Sequence, residues 1–204
     1  MLKYFICLVS LLFVTVPLTS STFIGYTINT EINNEINVIE YTDSVKTQLI
    51  NEVDNYINTI APSSKLDGEI VVDKCCEYNV DIAFVLAQGQ IESHFGTAGT
   101  ARKTNSVFNV GAYDSYSASK QRANGFGFSH PNESVEPYLI LLTNKYLVNG
   151  KTVNDLMYAY VNHLGMRYAS DTRYEYMLRS VCNKINSKTN IKTLYNDYIN
   201  SLKS

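Results

Sequence analysis

Val85–Gly99 reads VLAQGQIESHFGTAG and sets a single carboxylate, Glu92, between a strongly apolar run and a cluster of glycines. The run starts earlier, at Ile82, Ala83 and Phe84, and is apolar nearly all round. That pattern predicts a helix over about residues 82–95, passing through the centre of a domain and ended by Gly96. On its surface Glu92 shares a face with Val85, Gln88 and Gly89. A glycine inside a helix costs about 1 kcal/mol relative to alanine, and its missing side chain is expected to open a groove beside the glutamate. A carboxyl on an apolar wall loses solvation of its charged form and holds its proton closer to neutrality, which suits a general acid acting on a glycosidic oxygen. A solvated or ion-paired helix-end glutamate is the plainer alternative.

Working outward, helical spacing links Val45, Leu49, Val53, Tyr56, Ile57 and Ile60 into one stripe closed by Pro62. Ser64 with Asp67 predicts a capping box, followed by a helix carrying Leu66, Ile70, Val71, Cys75 and Tyr78. From Asn105 to Ser129 the helical stripe disappears, and aromatic, glycine and polar residues alternate, as in loops with a small β-hairpin. Helices resume at Val135, with Pro137 tolerated in the first turn and Gly150 as the stop. Thr152 and Asp155 then cap a helix predicted to run through Leu164 to Gly165. The loop MRYASDTR leads to a helix marked by Tyr174, Met177, Leu178, Val181, Cys182 and Ile185, and a short one from Ile191 to Leu202 closes the pattern.

The 204 residues, 45% hydrophobic, can bury one substantial core. Lys+Arg 17 against Asp+Glu 19 gives a net charge of -2 without runs of either sign, which argues against nucleic acid as a partner. The opening MLKYFICLVSLLFVTVPLTSS has one cation, an apolar stretch and then small polar residues, the layout of a secretory signal. Residues 1–21 are therefore expected to direct export, with an uncleaved anchor helix as the alternative. Cleavage leaves no expectation of stable membrane association. The Asn-, Ile- and Thr-rich residues 22–42 read as a linker without a clear period, 43–187 as the functional domain with its motif core at 64–187, and 188–204 as a C-terminal helix or tail.

His94, His130 and His163 lie in separate segments without the spacing of a zinc peptidase, and Cys75, Cys76 and Cys182 have no paired CxxC spacing. No metal or other cofactor is expected. The cysteines read as buried helix positions, with one disulfide from Cys75 or Cys76 to Cys182 as the alternative.

The stretches AQGQIESHFGTAG, TNSVFNVGAYD, NESVEPYLILL and YASDTRYEYMLRSV follow one another in the chain. In that order they resemble the motifs of the glucosaminidase family of peptidoglycan hydrolases, glycoside hydrolase family 73, including versions carried by bacteriophages. The resemblance implies an α+β, mainly α, lysozyme-like fold with a small β-lobe across a substrate groove. It also implies cleavage of the β-1,4 bond after N-acetylglucosamine in wall glycan, with peptidoglycan strands as the partner and a monomer as the working unit. Glu92 matches the family's general acid, Tyr168 its active-site tyrosine, and Asn105 and Phe108 groove positions. Gln88, Tyr113, Phe128 and His130 are further candidates for touching the sugar, whereas Asp171 is expected to cap the helix after it. Many relatives carry a second glutamate in the β-lobe; here the only acid between Asn105 and Pro131 is Asp114, which becomes the stand-in. Glu133 and Glu136 fall in a helix's first turn, where carboxylates serve the helix dipole. If no second carboxylate is close, the substrate's own 2-acetamido group is the other route, with Tyr168 assisting. A lytic transglycosylase acting on the same polymer, or a catalytically silent wall-binding or virion module, are the rival readings.

Overall fold

The computed structural model describes residues 21–110 and 127–203. Contacts divide the chain into two compact units, Met1–Ile39 and Glu40–Ser204. Of the first, the described part is helical, and helix α1 is assigned over Ser21–Ile60. Residues 22–42, expected as a linker without a period, are thus helical, and the loss of a clean apolar stripe there goes with exposed Ile32, Ile36, Val38 and Ile39. The expected signal falls almost wholly on residues outside the described ones. No helix among the described residues is long and apolar enough to cross a membrane.

In the second unit, α2 (Gly68–Glu77) and α3 (Ile82–Ser93) follow α1, then a short α4 (Ala101–Thr104), a 3-10 turn at Pro131–Ser134, α5 (Val135–Lys145), a single turn α6 (Val153–Leu156), α7 (Tyr174–Lys188) and α8 (Ile191–Ser201). The unit is mainly helical. Among the described residues the only β pairing is the isolated antiparallel bridge Val161–Arg167, and most of the expected hairpin falls on residues 111–126, outside the described ones.

Helix α3 lies at the centre, packed by α7, α8 and α2. Every residue from Ile82 to Gly89 is buried, as its all-round apolar character requires. Asp81 starts it by accepting the Phe84 N–H at 2.9 Å, and His94 and Phe95, both left-handed at φ 47° and 53°, end it just ahead of Gly96 at φ 85°. Leu49, Val53, Leu139, Leu178 and Ile185 close around it with no exposed surface, each contributing roughly 1.5–3 kcal/mol of burial.

Two local expectations are corrected. Asp67, not Ser64, caps α2, accepting the Glu69 N–H at 2.9 Å, while the Ser64 hydroxyl donates to the Phe95 carbonyl at 2.8 Å. The start of α2 presses on α1 so closely that a Cβ on Gly68 would meet Asp54 Oδ1 at 2.6 Å. The capping box at Thr152 and Asp155 is present, but its helix stops at Leu156 instead of reaching Leu164. Tertiary bonds take over there: the Tyr160 N–H goes to the buried Glu175 carboxylate at 3.2 Å, and its carbonyl accepts the Tyr168 N–H at 2.8 Å.

Candidate functional site

Glu92 stands on the last turn of α3, partly buried, where three of the described segments converge. The first is α3 itself. The second, residues 105–110, is tied to it by the buried Ser93 hydroxyl, which donates to the Val107 carbonyl at 2.6 Å. The third brings Tyr174 from the first turn of α7, and its hydroxyl donates to Glu92 Oε1 at 2.5 Å. From the second segment Asn109 Nδ2 donates to Glu92 Oε2 at 3.2 Å and to the Glu92 carbonyl at 2.9 Å.

Behind the carboxyl stands a wall of tyrosines. Tyr160 stacks on Tyr168 with centroids 4.5 Å apart, and Tyr168 leans against Tyr174 at 5.7 Å. The Tyr168 hydroxyl donates inward to the Phe108 carbonyl at 3.1 Å. Tyr138 and Tyr160 both donate to Gln88 Oε1, the latter at 2.9 Å. Burial pushes all four hydroxyls, Tyr138, Tyr160, Tyr168 and Tyr174, well above the usual phenol range, and the Glu92 charge adds to this at Tyr160, Tyr168 and Tyr174. They remain protonated donors at any working pH. The loop bearing Tyr168 is clamped by Glu175, whose carboxyl burial pushes up, but which the backbone N–H groups and Arg167, at 2.7 Å, hold below its ordinary range.

The sequence-derived candidates separate. Glu92 and Tyr168 are brought to one place, while Asp114 and Tyr113 lie outside the described residues. Gln88 and Phe108, expected to touch substrate, are corrected: both are fully buried, Gln88 within the tyrosine wall and Phe108 stacked on Tyr138 at 4.0 Å. The groove expected beside Gly89 is likewise filled by protein. A Cβ there would meet Phe95 at 3.2 Å and Phe108 at 3.3 Å, so the close approach that the glycine permits is that of two phenyl rings. Asn105, left-handed at φ 54°, bonds the Phe128 and Ser129 carbonyls at 2.9 and 3.1 Å and so anchors the chain re-entering at Phe128. The exposed His130 accepts the Asn132 N–H through Nδ1, capping the 3-10 turn. Glu133 is bonded by the Ser129 backbone and hydroxyl, Glu136 by Lys74 at 2.8 Å, and Asp171 by Arg173. These three acids are occupied structurally. The thiols of Cys75, Cys76 and Cys182 are free.

Two residues at the carboxyl escaped the sequence reading. Tyr174 had a signal, as the closing tyrosine of the motif that begins at Tyr168. Asn109 had none, because its contact depends on a left-handed turn. Among the described residues no group of three or more His, Cys, Asp or Glu gathers to hold a metal ion. Among the described residues what converges is one carboxyl, phenol hydroxyls and an amide, a set suited to moving one proton and bonding a polyhydroxyl ligand. The family model described as glucosaminidase, mannosyl-glycoprotein endo-beta-N-acetylglucosaminidase, matches residues 68–187, more than half of the chain, with Glu92, Asn109, Tyr168 and Tyr174 all inside it. No curated protein matches the chain.

Proposed function

The chain belongs to the glucosaminidase family of glycoside hydrolases, and from that membership we propose that it is an exported peptidoglycan hydrolase cutting the β-1,4 bond after N-acetylglucosamine, with Glu92 as the general acid. The observation that carries the assignment is the convergence of Tyr174 and Asn109 on the one carboxyl at the end of α3. A lysozyme-like arrangement, with a small β-lobe facing Glu92 across a substrate groove, completes the proposal.

In this reaction Glu92 gives its proton to the bridging oxygen, the bond from that oxygen to the anomeric carbon breaks, and the leaving saccharide departs with a new hydroxyl. The carboxylate left behind accepts from Tyr174 and Asn109, donors already in place before charge develops, so little reorganisation is needed. The electron-poor anomeric carbon is captured either by water activated at a second carboxylate, for which Asp114 is the candidate, or by the substrate's 2-acetamido oxygen followed by water. Tyr168 offers its ring for packing against sugar while its hydroxyl stays on the Phe108 carbonyl. The layout of the first residues supports export; peptidoglycan strands are the partner, and the chain works as a monomer without a cofactor.

A lytic transglycosylase would use the same acid but close the sugar onto its own 6-hydroxyl. Mass spectrometry of fragments from purified wall separates the two. Reducing N-acetylglucosamine ends are expected; anhydro-muramic ends would establish the transglycosylase, and wall binding without fragments would establish a silent module.

A further inference from the structure

Asn109 carries two local penalties that its surroundings do not relieve. Its backbone is left-handed, at φ 50°, where glycine is at ease and other residues are strained, asparagine among the least. Its Oδ1 is buried and has no hydrogen-bond partner, although buried acceptors are nearly always satisfied. A position that needed only the turn would be served by glycine, which escapes both penalties. What asparagine adds is Nδ2, and both bonds from that atom go to Glu92, one to the carbonyl at 2.9 Å and one to Oε2 at 3.2 Å. An uncompensated local cost whose only return is a pair of contacts to one residue, one of them to its carboxyl, points to function at that residue.

We infer that Asn109 is a positioning residue for the proton donor: its carboxamide ties the Glu92 main chain and carboxyl together, fixing the rotation of the carboxyl so that Oε1 faces Tyr174 and Oε2 is the oxygen whose proton is handed over. This rests on the reading of Glu92 as the acid. Fixing both ends of the glutamate removes the freedom of its long side chain, which otherwise has to be lost each time the reacting atoms align. Among the described residues the hydroxyl on the carboxyl is that of Tyr174, a neutral donor bonded to Oε1, while the Tyr168 and Tyr160 hydroxyls nearby are turned to the Phe108 carbonyl and to Gln88.

The alternative role is a cap on the final turn of α3, since the Glu92 carbonyl is one of that helix's terminal acceptors. The two roles differ in what Asn109→Gly does. The substitution keeps the left-handed turn and removes the orphaned Oδ1, so a positioning role leaves Tm close to wild type and lowers kcat by about tenfold with KM little changed, as expected for one lost charge-assisted bond. A capping role lowers Tm and leaves kcat per folded molecule alone. Asn109→Asp keeps the shape but sets a carboxylate against a carboxylate. Glu92 then holds its proton to higher pH, and the alkaline limb of kcat/KM moves upward, further than in Asn109→Gly. The same displacement is read without turnover by following the Glu92 carboxyl carbon through a pH titration by NMR. Wild-type kcat in Asn109→Gly, or an unmoved Glu92 titration in Asn109→Asp, overturns the inference. A wild type that releases no wall fragment while the titration still moves overturns the hydrolase reading and leaves the Asn109 contact standing.

Discussion

At the scale of single residues, Tyr174 is the neighbour whose removal is cleanest. Its ring is buried against Tyr160 and Tyr168, so Tyr174→Phe keeps the packing and deletes only the oxygen 2.5 Å from Glu92. The net stability change is about 1 kcal/mol, while kcat falls by about tenfold because the bond strengthens as the carboxylate forms. Steady-state kinetics beside a melting curve reads both; a variant with wild-type kcat would show that the hydroxyl only holds the fold. The place of Glu92, partly buried at the end of the central helix, was legible from the apolar run before it, while its role as the acid came from the family resemblance. Gln88, on the face shared with Glu92, was expected to touch the sugar, whereas it is buried and gives two tyrosine hydroxyls an acceptor. Asn109 could not be read, since residues 17 apart meet only through a turn that the sequence does not announce.

At the scale of elements, Gly89 shows packing overriding propensity. Alanine there gains about 1 kcal/mol in helix propensity, but its methyl group meets two rings at 3.2 and 3.3 Å, and overpacking of this kind costs roughly 1–3 kcal/mol. Phe108 cannot give way because it is stacked on Tyr138. Gly89→Ala is therefore expected to lower Tm by a few degrees, at about 2–4 °C per kcal/mol. A rise in Tm on calorimetry would mean that the rings shift freely. The helices themselves were legible from apolar spacing and caps, α2, α3, α5 and α7 among them. The early stop of α6 was not, because the partner that draws Tyr160 out of helix, Glu175, lies 15 residues on and outside any local pattern.

At the scale of the whole molecule, stability should depend on pH through surface carboxylates. Lys74 holds Glu136, the Thr152 backbone holds Asp155, and Arg173 holds Asp171, each below the ordinary carboxylate range. A depressed folded-state pKa contributes stability above the unfolded value and loses it as pH falls through the folded one, so Tm should be level near neutrality and fall below roughly pH 4. Asp54, raised first by burial, acts in the opposite sense, but it is one group against these three and Glu133 and Glu175, which are also held low. Glu136→Gln should blunt the acid fall in a fluorescence melting series; an unchanged slope would remove the Lys74 contact from the explanation. The family and the mainly helical domain were legible from the order of four motifs, whereas helix over residues 22–42 was not, for want of an apolar stripe. The proposed function turns on one proton at Glu92. The most direct measurement is the rate of reducing-end release from purified wall by wild type and by Glu92→Gln of equal Tm. Loss of the acid predicts a fall of about 10²–10⁴-fold, and release by the variant at the wild-type rate would contradict the account.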